Sequence, residues 1–145
     1  MKLKPKIGID NLKFGMPQKE IYTILGMPNK KRIDEDDENQ LFMEFNKPKL
    51  RLTIYQDENS RLGYIRTINP ELEYNGHKII NSTLEFAQTE IFGGIIKEWE
   101  MDDYDFWTSY GNDEFWITLN VEYGIVISLE MGVPFKNDEE YDWPK

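Results

Sequence analysis

The stretch Leu12 to Pro28, LKFGMPQKEIYTILGMP, constrains this chain most, because it spells out a helix too short to survive without tertiary cover. Pro17 suits a first helical turn, where its fixed φ fits and its missing N–H has no helical partner to lose. Ile21, Ile24 and Leu25 fall at i, i+3 and i+4 and are expected to share one apolar face. Gly26 can take the left-handed conformation that closes a helix, and Pro28 stops its continuation. The cover is expected to be a sheet, because the period then changes from helical to two. Leu41, Met43 and Phe45 alternate with Phe42 and Glu44, and Leu50, Leu52 and Ile54 alternate with Arg51, Thr53 and Tyr55. A third strand is expected over residues 62–68, while the polar stretch 29–40 reads as a loop with nothing to bury.

Asn69 and Pro70 interrupt this pattern, and Asn75-Gly76 marks a turn. Leu84-Glu85-Phe86 then echoes Leu12-Lys13-Phe14, and Glu90-Ile91-Phe92 echoes Glu20-Ile21-Tyr22. The second helix is the poorer one, since Gly93 and Gly94 each cost roughly 1 kcal/mol relative to Ala. Three more strands are expected over 104–110, 114–121 and 124–131. The expected fold is therefore α+β: a tandem repeat of a short helix followed by a three- or four-stranded antiparallel sheet, with the helices packed on one face. The 145 residues are read as a single domain of two repeats, about 8–68 and 76–131, followed by an acidic tail over 132–145.

Charge narrows the range of partners. Acidic side chains outnumber basic ones 27 to 17, giving a formal net charge of −10, and they bunch at residues 34–38, 98–105 and 138–142. Such a field repels nucleic acid and anionic membrane and speeds encounter with a basic protein. There are no cysteines, so neither disulfides nor thiolate metal sites can hold the fold, and with no apolar leader at the start a cytoplasmic location is expected.

Phe14-Gly15-Met16, Glu20-Ile21, Ile24-Leu25-Gly26 and Pro28 together resemble the helix motif of small bacterial modules related to β-lactamase inhibitor protein and to the small lipoprotein of the outer-membrane barrel-assembly machinery. The resemblance implies a helix packed on an antiparallel sheet, with two such units in tandem as in the inhibitor protein. The motif covers residues 12–28 and the tandem layout extends it over 8–131, although the disulfide and lipid-attachment cysteines of those relatives are missing here. In size, acidity and aromatic content the chain also resembles bacterial immunity proteins, which neutralise toxins of contact-dependent or polymorphic competition systems.

Nothing in the sequence assembles an enzyme. His77 is the only histidine, and no nucleophile-elbow, phosphate-loop or zincin spacing occurs, so no enzymatic activity, metal or cofactor is expected. The alternating strands instead send Phe42, Tyr55, Trp107 and Trp116 to the side of the sheet away from the helices, amid acids and hydroxyls, which is the composition of a binding surface. The residues expected to touch a partner are Trp107, Trp116, Asp105, Phe42 and Glu44. The function they imply is a non-enzymatic protein-binding module, an immunity protein acting on a basic, nuclease-type toxin. The alternative is a structural or regulatory homodimer joined through the aromatic face.

Overall fold

A computed structural model describes residues 1–145. The amino-terminal arm is a small sheet of three short strands, β1 (Leu3–Lys4), β2 (Gly8–Ile9) and β3 (Leu12–Lys13). Helix α1 (Gln18–Leu25) follows, and four strands come after it: β4 (Lys30–Ile33), β5 (Gln40–Phe45), β6 (Leu50–Tyr55) and β7 (Arg61–Thr67). A two-stranded hairpin, β8 (Glu73–Tyr74) and β9 (His77–Lys78), turns on Asn75 and Gly76, both at positive φ. Helix α2 (Leu84–Phe86) runs directly into a π-helical turn over Ala87–Ile91. The last four strands are β10 (Glu100–Asp103), β11 (Thr108–Asn112), β12 (Ile117–Glu122) and β13 (Ile125–Gly132).

The expected tandem α+β repeat is overturned by this arrangement. Strand makes up 42% of the chain and helix only 11%, and the long strands belong to one eight-stranded antiparallel sheet in the order β10-β11-β12-β13-β7-β6-β5-β4. The physical reason is the seam: β13 pairs with β7 through Leu129 opposite Thr67, Glu130 opposite Arg66, Met131 opposite Ile65 and Gly132 opposite Tyr64. With that ladder formed, backbone donors and acceptors that would be edges of two separate sheets are satisfied inside one. The helical content is small for a local reason as well, since the second helical segment has stopped by Phe92, ahead of Gly93 and Gly94.

A single cluster of 27 buried hydrophobic residues runs through the molecule, joining Ile21, Ile91 and Phe92 from the helical segments to Met43, Leu52, Ile65, Leu119 and Leu129 from the sheet. Helix α1 begins one residue later than Pro17, which is its extended N-cap, and Gly26 closes it at φ 79°. Of its expected apolar face only Ile21 is fully buried, and Ile24 is 41% exposed.

Two bulges adjust which side chains face the core. Between β6 and β7 the pairing moves from Thr53 opposite Tyr64 to Ile54 opposite Leu62, leaving Gly63 extra. Between β12 and β13 it moves from Asn120 opposite Ser128 to Val121 opposite Val126, leaving Ile127 extra. Strict alternation would turn Ile125 and Ile127 inward and Val126 outward. The bulge reverses this, so that Val126 is fully buried and Ile125 and Ile127 only half-buried.

Candidate functional site

The side of the sheet away from the core, called here the front, carries the polar and aromatic half of each strand. Phe42 comes from β5, Arg51, Thr53 and Tyr55 from β6, Tyr64 from β7 and Glu130 from β13, and they converge on a cleft of about 380 Å³. Trp116 joins them from the turn before β12. It stands at φ 54°, a strained left-handed position for a bulky residue, and its carbonyl accepts a 3.0 Å hydrogen bond from Gly132 N. Gly132 leaves the room this requires: a Cβ there would lie 2.5 Å from Trp116 Cδ1 and 2.8 Å from Tyr64 Cδ2.

The carboxy-terminal tail folds back over this cleft. Phe135 and Tyr141 bridge to each other, and Asp142 N donates to Pro134 O at 2.7 Å. Phe135 meets Trp116 edge-on at 5.3 Å and stacks on Tyr141 at 4.6 Å, while Tyr141 leans on Tyr55 at 5.3 Å. Trp143 continues the run beneath the guanidinium of Arg61, 3.9 Å from the ring centre. Each tail aromatic thus finds an aromatic or cationic seat already formed by the sheet.

Polar groups in the cleft are held in a network. Tyr64 donates to Glu130 Oε1 at 3.0 Å, and Asn120 Nδ2 donates to Glu130 Oε2 at 2.7 Å and to Ser128 Oγ at 2.8 Å. Burial, reinforced by the neighbouring Glu130 carboxylate, pushes the Tyr64 hydroxyl far above the usual tyrosine range, and burial does the same to Tyr55. The guanidinium groups of Arg32 and Arg51 lie 4.7 and 5.0 Å from the ring centre of Phe42.

A second feature stands at the β10 edge. The β10–β11 hairpin ends in Tyr104-Asp105-Phe106-Trp107, closed by Tyr104 N donating to Trp107 O at 2.9 Å. Tyr104 stacks on Trp107 at 4.6 Å with the rings 17° from parallel, and Thr108 Oγ1 donates to Asp103 Oδ1 at 3.2 Å. Phe106 is 82% exposed at the tip. Asp102, Asp103 and Asp105 lie close to it in sequence, all exposed.

The five residues singled out from the sequence fall in three places. Phe42 and Trp116 line the front cleft together, and Glu44 lies in a neighbouring cleft towards the β4 edge. Trp107 and Asp105 sit on the β10–β11 hairpin, with four strands between it and β5, which carries Phe42. Three features were missed. The strand expected over 104–110 begins only at Thr108; residues 104–107 form the hairpin loop, which leaves Tyr104 and Phe106 exposed. The polar stretch 29–40, expected as a loop, contains edge strand β4, and residues 100–103, inside an acidic run, form the other edge strand, because both pair through backbone alone. The tail aromatics Phe135 and Tyr141 complete the cleft, a role their spacing alone does not reveal. His77 packs edge-on against Phe86 at 5.0 Å. No group of three or more histidine or carboxylate side chains converges as a metal site would require, and no helix is long and apolar enough to cross a membrane.

The sequence matches no protein-family model and no curated protein. Two solved structures share the fold. One is an extracellular protein containing an SCP domain from Bacillus anthracis str. Ames, with a TM-score of 0.57 and 8% identity, covering 91% of this chain and 49% of that one. The other is a DUF4309 family protein (YjgB) from Bacillus subtilis subsp. subtilis str. 168, with a TM-score of 0.52 and 12% identity, covering 86% of this chain and 83% of that one. The chain spans about half the length of the first. At such identities the likeness is one of fold alone, and it bears on neither an immunity nor a β-lactamase-inhibitor role.

Proposed function

We propose that this protein is a non-enzymatic protein-binding module whose β10–β11 hairpin grips a basic partner, in the manner of an immunity protein on a cationic toxin domain. The observation that carries the reading is the tip itself: three aromatic rings, one of them 82% exposed, among three carboxylates on a closed hairpin. Aromatic residues supply most of the energy at protein interfaces, and carboxylates steer a basic partner towards them. Because the loop is already closed by its own hydrogen bond and ring stacking, docking loses little chain entropy. Nuclease toxins are basic where they hold nucleic acid, which makes them the partner class the hairpin fits best.

The test is to produce the protein in cells together with a toxin domain encoded beside it. Protected growth and a one-to-one complex are expected, both lost in a Phe106→Ala, Trp107→Ala double variant that remains folded. Protection that persists in the double variant, or the absence of any complex, overturns the reading.

A further inference from the structure

At the opposite end of the sheet lies a cleft of about 660 Å³ between the start of β4, the β5–β6 turn and the end of β7. Four cations line it, Lys30, Lys49, Arg51 and Arg66, against one carboxylate, Glu44. In a chain whose net charge is −10 this is a local reversal of sign. The sheet register accounts for it: Lys30 is opposite Glu44, Glu44 opposite Arg51, and Arg51 opposite Arg66, so the four residues form one cross-strand row on the front.

None of these four cations is in an ion pair within the protein, and only Arg51 has another charge-dependent contact, its guanidinium lying over the ring of Phe42. The five ion pairs involve Lys2, Lys6, Lys78 and Lys136, and none includes an arginine or either cleft lysine. The carboxylate opposite Arg66 on its other side, Glu130, is engaged by Tyr64 and Asn120. Arg51 Nε is buried without a hydrogen-bond partner, so no acceptor within the protein compensates this guanidinium at that atom.

The rim is fixed rather than loose. Asn46 N donates to Asn29 Oδ1 at 2.7 Å, tying the β5–β6 turn to the start of β4. Thr67 Oγ1 donates to Lys49 O at 2.9 Å. Lys49 itself is held at φ 57°, a left-handed conformation that a lysine adopts only under constraint, and one that sets where its side chain leaves the turn.

We infer that this cleft is a binding site for a multivalent oxyanion, held by Arg51, Arg66, Lys30 and Lys49. Two guanidinium groups side by side suit planar or tetrahedral oxyanions with more than one charged oxygen, and the flanking lysines add charge without fixing geometry. Glu44 in the middle of the row offsets one of the four positive charges, and the three that remain favour an anion carrying more than one charge. The site is separate from the hairpin proposed to hold the protein partner, so either assignment can fail alone.

Pyrophosphate and citrate serve as the phosphate and carboxylate probes, titrated by calorimetry into the full chain at low salt. Saturable one-to-one binding of at least one of them is expected, and the stronger of the two names the oxyanion. Affinity should fall roughly tenfold in Arg66→Glu, where a guanidinium contact is replaced by repulsion. The Lys30→Glu, Lys49→Glu double variant changes exposed residues only and repeats the test should Arg66→Glu not fold, and Lys136→Glu, outside the cleft, should change nothing. Overturning results are no saturable binding of either probe, binding indifferent to the cleft variants, or a concentration-dependent dimer that the anions do not displace, which would give the cleft to the acidic hairpin of a second copy.

Discussion

At one edge of the sheet β4 presents Lys30, Lys31 and Arg32, and at the other β10 presents Glu100, Asp102 and Asp103; all four residues of each strand are exposed. Both edges end the same sheet, and both are built from hairpins of similar length. They differ because an edge strand places no side chain in the core, so its composition is released from packing and can be set by what it must meet or avoid. Like charge along an edge discourages two copies from pairing through it. Opposite charge at opposite edges also gives each end of the molecule a different kind of visitor. Between them, at the β7–β13 seam, there is no such freedom: Thr67, Leu129, Met131 and Ile65 are almost wholly buried.

This contrast is most severely tested at the seam. Gly132→Val should be severely damaging, because the new Cβ meets Trp116 and Tyr64, and a loss of about 3 kcal/mol or more is expected in urea denaturation. Gly63→Val should be comparable, since the ring of Tyr55 lies directly on that glycine.

Matched truncations on the two sides of the seam come next. Leu52→Ala and Leu119→Ala each remove a fully buried side chain and should each cost about 2–5 kcal/mol. Similar losses within a single transition show one cooperative unit, whereas two separate transitions would split the sheet at its middle.

A smaller effect is expected from Tyr64→Phe, which deprives Glu130 of a hydrogen bond across the seam and should cost roughly 1–3 kcal/mol. The same residue sets an alkaline limit. Its hydroxyl stays protonated in the folded protein well above the usual tyrosine range, whereas an unfolded tyrosine ionises near pH ~10. Above that pH the unfolded chain binds fewer protons than the native one, so stability is full below it and declines as pH rises towards the folded value. Tyr64→Phe should flatten that decline, although Tyr55, shifted the same way, will retain part of it.

The least effect on stability is expected at the β10 edge. Phe106→Ala should change the unfolding free energy by less than about 0.5 kcal/mol while weakening partner binding at least tenfold, the signature of a residue placed for recognition. A marked loss of stability instead would mean that the two ends of the sheet are less different than their charges suggest.

Several elements were legible in the sequence because their side chains must satisfy a core. Strands β5, β6 and β12 alternate cleanly, and α1 has a proline at its start and a glycine at its close. The edge strands were not legible, since Lys30–Ile33 and Glu100–Asp103 pair through backbone alone and show no apolar period. The single sheet was also hidden, because the seam pairs ordinary-looking Thr67 and Leu129, 62 residues apart in the chain, and no local pattern distinguishes a strand that ends a sheet from one that continues it. As to the candidate site, Phe42 could be placed on the front by alternation, whereas Trp116 reaches it from the turn before β12 and Phe106 lies in the hairpin loop, where the chain does not alternate.

The surplus residue at Ile127 has an evolutionary corollary. A homologue that dispenses with the bulge needs one residue fewer in this strand to keep Leu129 and Val126 indoors, so a gapless alignment across it would pair interior positions of one protein with exterior positions of the other. Related chains will therefore look less alike than they are unless an offset of one is permitted at that point.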